Sequence, residues 1–140
     1  MVVVDAKGLV AGRLASKVAK RIINGEMITI VNAEEAVVVG TPSGIMEKFE
    51  LRVAARVLGN PHDGPKYNRI PDRMLRKMVR NMLPTKKRQK KRIIDNLMVF
   101  NKVPKELAKE KTETFEDSKC NERYGFMTLK EVAQKLGGTW

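Results

Sequence analysis

Residues 2–31 read VVVDAKGLVAGRLASKVAKRIINGEMITIV. Val2, Val3 and Val4 form a short β-branched run that predicts a buried strand. Asp5-Ala6-Lys7-Gly8 then leads into a long helix that closes near Asn24-Gly25, where Gly25 suits the position just past a helix end. Leu14, Val18 and Ile22, with Val10, Ala11, Ala15 and Ala19, make a wide apolar face. Arg13, Lys17, Lys20, Arg21 and Asn24 make the other side, with no acid among them. Residues 27–31 predict a second strand. Continuous apolar runs without alternation belong to strands covered on both faces. Strand, long helix and strand in succession predict an α/β sheet, mostly parallel, with helices on both faces.

Outward from this unit, residues 36–39 predict a third strand. Only Asn32-Ala33-Glu34-Glu35 separates it from the second, very short for a parallel crossover. Glu34 and Glu35 are adjacent acids with no nucleophile or metal-ligand cluster beside them, and they read as a turn. Thr41-Pro42 predicts an N-cap followed by Pro at the first helical position. That helix runs to about residue 58, stops at Gly59, and carries Lys48, Arg52 and Arg56 as a cationic stripe offset by Glu47 and Glu50. Residues 60–65 are a loop by composition. Residues 97–100 predict a fourth strand, closed by Pro104. Residues 115–126 carry no pattern and read as loop. Thr128-Leu129-Lys130-Glu131 is a capping box, opening a short helix through Leu136 that stops at Gly137-Gly138.

Charge is unevenly placed. Residues 66–92, KYNRIPDRMLRKMVRNMLPTKKRQKKR, hold twelve of the 28 Lys and Arg and a single acid, Asp72. The remaining 113 residues hold 16 bases and 15 acids. Spread evenly, such charge would speak only of solubility. Focused in one fifth of the chain, it predicts a polyanionic partner. Within the stretch, Asp72 is the predicted N-cap of a helix that ends at Pro84. Leu75, Met78, Val79 and Met82 fall on one face; Arg73, Arg76, Lys77 and Arg80 fall on the opposite one. Lys86, Lys87, Arg88, Lys90, Lys91 and Arg92 follow, a run that repels itself unless something negative lies against it.

Several classes are disfavoured. The strand–glycine–helix opening invites a phosphate loop, but Gly8 and Gly12 are four apart and no G-x-G-x-x-G follows. A basic helix N-terminus there can still grip a backbone phosphate of a larger partner. His62, the one histidine, and Cys120, the one cysteine, stand in separate loops and supply neither a nucleophile pair nor a metal site. A single Cys excludes an internal disulfide and suits a reducing, cytoplasmic setting. No apolar run is long enough to span a membrane, and no secretory signal is expected. Only 5% of residues are aromatic, too few for base-stacking platforms, so a folded phosphate-rich partner fits better than a splayed single strand. A chain of this length is expected to be one domain, residues 1–140, with a charge-neutral extension at 103–140 of seven bases and seven acids.

Several motifs in register resemble one family. Asp5-Ala6-x-Gly8-x-x-x-Gly12-Arg13-Leu14-Ala15-Ser16 and Val31-Asn32-Ala33-Glu34 are similar to the opening and second-strand motifs of the large-subunit ribosomal protein L13 family, archaeal and eukaryotic branch. Asn60-Pro61…Gly64-Pro65, Pro71-Asp72-Arg73, Met82-Leu83-Pro84, Leu97-x-Val99-Phe100 and Thr128-Leu129 through Leu136-Gly137 follow in that family's order. The family usually has Gly where Asn81 stands, near Lys90, and where Asn101-Lys102 stand.

The resemblance implies a three-layer α/β/α fold with a mainly parallel four-stranded sheet of order 3-2-1-4. It implies a structural protein of the large ribosomal subunit, binding large-subunit ribosomal RNA early in assembly beside neighbouring ribosomal proteins. No catalytic residue, cofactor, metal, membrane or small-molecule substrate is expected. Charge and resemblance together assign RNA contacts to Arg13 and Lys17 on the first helix, His62 in the loop, and Lys66, Arg69, Arg73, Arg76, Lys77, Arg80, Lys86, Lys87, Arg88, Lys90, Lys91 and Arg92 in the basic stretch. Charge alone would also permit a non-specific, chromatin-like duplex binder, which predicts similar affinity for any duplex.

Overall fold

The computed structural model describes residues 2–60, 62–84, 86–107, 110–121 and 125–140; the side chains of Lys87, Arg88 and Lys90 lie outside the described set. The opening unit forms as its sequence predicts. β1 (Val2–Asp5) leads into α1 (Ala11–Ile23) and then β2 (Ile28–Val31), parallel to β1 with Val2 opposite Ile28 and Asp5 opposite Val31. At the end of α1, Gly25 takes φ 93°; its N–H donates to the Ile22 carbonyl, and that of Glu26 donates to Arg21. This is the glycine-terminated turn that satisfies the last helical carbonyls. Leu14, Val18 and Ile22 are buried in one core with Val4, Ile28 and Ile30. Val3, Thr29 and Val31, on the other face of the sheet, are buried too. Burial of both faces is what the unbroken apolar runs predict.

The central sheet has the order β4-β2-β1-β5, all parallel, with β4 (Leu97–Val99) and β5 (Thr112–Glu113) at its edges. Numbered by its own members along the chain, this is the order 3-2-1-4 of a three-layer α/β/α fold. One member differs from the sequence reading. The predicted third strand, β3 (Val37–Val39), stands outside this sheet and pairs antiparallel with β6 (Phe126–Thr128). The cause is the short link. A parallel crossover takes a dozen or more residues; here Asn32, at φ 56°, and a 3-10 turn at Ala33–Glu35 redirect the chain at once. The acidic pair does lie in that turn, and Glu35 reaches Lys7 at 3.4 Å. β6 and β5 both fall where no strand is predicted. The two residues of β5 are polar and exposed, so this edge strand carries no apolar signature.

The two motifs nearest the start of the chain meet in space. Asp5 Oδ1 accepts from the Lys7 N–H at 3.0 Å and from the Asn32 side-chain amide at 2.9 Å. The second of these bonds fastens together the C-terminal ends of the two central strands.

The remaining helices differ from expectation mainly at their ends. α2 (Pro42–Ala54) stops short of residue 58; Thr41 takes the N-cap position with Pro at the start of the helix, but its side chain makes no capping bond. α3 (Pro71–Asn81) has Ile70, not Asp72, at its N-cap. Asp72 sits inside the first turn, where an acid still complements the helix dipole, and its N–H donates to Asn101 Oδ1 at 2.9 Å. Leu75 and Val79 are buried as predicted, joined by Met74, whereas Met82 is exposed. The basic run at 86–92 falls mostly within α4 (Lys87–Asp95). α5 (Leu129–Lys135) opens on the predicted capping box, Glu131 N–H to Thr128 Oγ1 at 3.2 Å and Thr128 N–H to Glu131 Oε2 at 3.1 Å. Among the described residues Asn32 is the one non-glycine with positive φ. Asn81, Asn101 and Lys102 therefore stand where the backbone makes no demand for glycine.

Candidate nucleic-acid interface

α3 divides by its periodicity. Met74, Leu75 and Val79 go into the core against α1 and the sheet; Arg73, Arg76 and Arg80 are exposed and Lys77 is half-buried. α4 follows Leu83 closely in the chain, and its Lys91 comes up beside the cations of α3. Between the two helices and the loop before α3 lies an open cleft of about 640 Å³, lined by Lys66, Asn68, Arg73, Arg76, Lys77, Arg80, Lys91 and Ile94. Of these eight described residues six are cations and none is an acid.

Two hydrogen bonds shape this cleft. Arg76 Nη2 donates to the Ile94 carbonyl at 3.3 Å, tying α3 to the last turn of α4. A cation there also complements the negative end of the α4 dipole. Lys77 Nζ donates to the Lys66 carbonyl at 3.1 Å. The ion pairs found among the described residues, Lys7–Glu35, Lys17–Asp117, Arg21–Glu113 and Lys119–Glu116, all lie elsewhere. The positive charge of the cleft is therefore uncompensated within the described protein, and the group it suits is a multiply charged anion such as a run of phosphates.

The predicted contact residues separate into groups. Lys66, Arg73, Arg76, Lys77, Arg80 and Lys91 converge on the cleft. Lys86 and Arg92 are exposed nearby, outside its lining. Lys87, Arg88 and Lys90 lie on α4, their side chains outside the described residues. Arg69 faces a second, smaller cleft of about 480 Å³, with Glu50, Arg56 and Lys135 among its neighbours. His62 is exposed in its loop, and its backbone N–H donates to Asn60 Oδ1 at 3.2 Å. Arg13 is exposed on α1.

Lys17 is not free. Its ammonium bonds Asp117 at 3.1 Å and stands 5.3 Å from the centre of the Phe115 ring. Arg21, one turn on, bonds Glu113 at 2.8 Å and lies 5.0 Å from the same ring. The acids missing from α1 are thus supplied by the extension, and half of the basic side of this helix is occupied internally. The extension also lies across the turn before α1: Val10 N–H donates to the Ser118 carbonyl and Cys120 N–H to that of Gly8.

Asn68 and Ile94 line the cleft without having been singled out by sequence; neither carries a charge to draw attention. Tyr67, between two lining residues, is likewise uncharged. Its signal was an aromatic inside the basic stretch. Among the described residues no three His, Cys, Asp or Glu come together as a metal site, and no helix is long and apolar enough to cross a membrane.

Fold and surface together define an α/β protein in which six cations, with no acid among the described lining residues, converge on one cleft. The profile of the family described as Ribosomal protein L13 matches residues 1–106. The large ribosomal subunit protein uL13 of Thermoplasma volcanium is 36% identical over 138 residues, 99% of each chain. That of Thermoplasma acidophilum is 38% identical over 138 residues with the same coverage, and that of Methanosphaera stadtmanae is 40% identical over 136 residues, 96% of each. The chain belongs to the ribosomal protein L13 family. This is a family of ribosomal proteins, not of enzymes.

Proposed function

We propose that this protein is a structural component of the large ribosomal subunit, holding folded large-subunit ribosomal RNA through phosphates seated between α3 and α4. The observation that carries the reading is the convergence of six cations on one cleft without an acid, in a chain whose full-length relatives are large-subunit proteins. The parallel sheet acts as a rigid mount. Arg73, Arg76 and Arg80 fork onto phosphate oxygens, while Lys66, Lys77 and Lys91 act as point charges. Recognition is by shape and backbone, because side chains cannot read the deep, narrow major groove of A-form RNA. Arg13, Arg69, Lys86, Arg92 and the loop around His62 lie outside this seat and add peripheral contacts, and Lys87, Arg88 and Lys90 of α4 add phosphate contacts of their own. Binding takes place early in assembly, in the cytoplasm, and the charge-neutral extension faces neighbouring ribosomal proteins.

Gradient sedimentation of a cell lysate at two salt concentrations tests this, with the protein located by antibody. It is expected to travel with the large subunit at both. Release at modest salt, into fractions with bulk DNA or free protein, would overturn the proposal in favour of a non-specific duplex binder.

A further inference from the structure

One cation of the cleft, Lys77, is held by an aromatic ring. Lys77 Nζ lies over the Tyr67 ring, 4.2 Å from its centroid, and donates to the Lys66 carbonyl at 3.1 Å. The ring is itself fixed. It meets Phe49 edge-on, centroids 6.0 Å apart and planes at 68°, and Phe49 is fully in the core. The Arg52 guanidinium carbon lies 5.9 Å from the ring centre, and Arg52 Nη1 donates to the Tyr67 hydroxyl at 3.4 Å. Tyr67 therefore links α2 to α3 through two cations, from a loop with no regular structure of its own.

We propose that Tyr67 is a positioning residue of the interface: it presents the Lys77 ammonium, already oriented, to an RNA phosphate. The inference rests on the reading of the cleft as a phosphate seat. An ammonium has three N–H donors. One is used by the Lys66 carbonyl and one side is covered by the ring, so the remaining direction is restricted. A lysine on an open helix face samples many rotamers and loses that freedom when it binds. Lys77 has lost much of it beforehand, which favours affinity through preorganisation rather than through an added contact. The ring does not neutralise the charge as a carboxylate would, so the cation stays available to an anion.

The test is a double-mutant cycle on the full chain, with folded large-subunit ribosomal RNA as the probe. Tyr67→Leu keeps apolar volume against Phe49 but removes the π face; Tyr67→Phe keeps the face and loses only the hydroxyl. Tyr67→Leu is expected to weaken binding about 5-fold and Tyr67→Phe less than about 2-fold. In a Lys77→Ala background Tyr67→Leu should add almost nothing, the coupling expected of a residue that acts through Lys77. Equal losses from Tyr67→Leu in both backgrounds, or a Tyr67→Phe as weak as Tyr67→Leu, would overturn the proposal. A second measurement needs no RNA. The Lys77 ε-methylene protons should be shifted upfield by the ring current in the wild-type protein and in Tyr67→Phe, and return to ordinary values in Tyr67→Leu. RNA binding without that signature removes the role of Tyr67 alone. The signature without RNA binding removes the phosphate seat, and the positioning role falls with it.

Discussion

Arg80 and Lys17 are both cations on helical faces, yet the structure gives them different surroundings. Arg80 lines a cleft with no acid among its described residues. Lys17 is paired with Asp117 and stacked on Phe115. If Arg80 touches phosphate, Arg80→Ala should reduce the slope of log affinity against log salt by about one unit. Lys17→Ala should leave that slope within error. Filter binding across 50–200 mM salt checks both, and a steeper effect from Lys17→Ala than from Arg80→Ala would place the interface on α1 instead. The four cations of α3 were legible because a 100° step puts them on one side of a helix whose apolar stripe faces the other way. The engagement of Lys17 was not, since its partner lies 100 residues further along the chain. Periodicity reports which side of a helix is polar, but it does not say what comes to cover that side.

The segment that covers α1 shows the same division at the level of elements. β5, the 3-10 turn at Glu116–Ser118 and Phe115 between them form a strap over the helix. Its two ion pairs reach partly exposed groups, and the Asp117 side chain is 91% exposed. Pairs of this kind contribute about 0–1 kcal/mol. The half-buried Phe115 ring, packed against the core and beneath two cations, should matter more. Asp117→Asn is expected to cost at most about 0.5 kcal/mol of stability, and Phe115→Ala about 1–3 kcal/mol. Urea denaturation separates the two, and equal losses would show that charge rather than the ring holds the strap. No sequence pattern announced this element, because a two-residue polar edge strand lacks the apolar alternation by which strands are read. β3 was legible as a strand but not as to its sheet: apolar content fixes burial, whereas the five residues between β2 and β3 decide the partner. The helical state of α4 was hidden by its charge, which reads as self-repulsion even though Lys, Arg and Gln are good helix formers.

For the molecule as a whole, the net charge of +12 is less informative than its placement. Cations gathered in one cleft repel each other in the folded state, and that repulsion is relieved by any anion able to bridge several of them. A ligand that binds the native state alone stabilises it by RT ln(1 + [L]/Kd), about 1.4 kcal/mol at ten times Kd. In a domain of this length that corresponds to about 3–6 °C in Tm. Pyrophosphate is therefore expected to raise Tm by about that amount at saturating concentration, well beyond sodium chloride of equal ionic strength, which acts only by screening. Replacing Arg76 and Lys91 together by Gln, one from each wall of the cleft, should remove most of the difference between the two salts. Replacing Arg13 and Lys20 on α1 makes the same change in net charge at a distance from the cleft and should leave the difference intact. Equal effects of the two double variants in a differential scanning measurement would mean that anions respond to overall charge, and the cleft would lose its standing as a seat for phosphate.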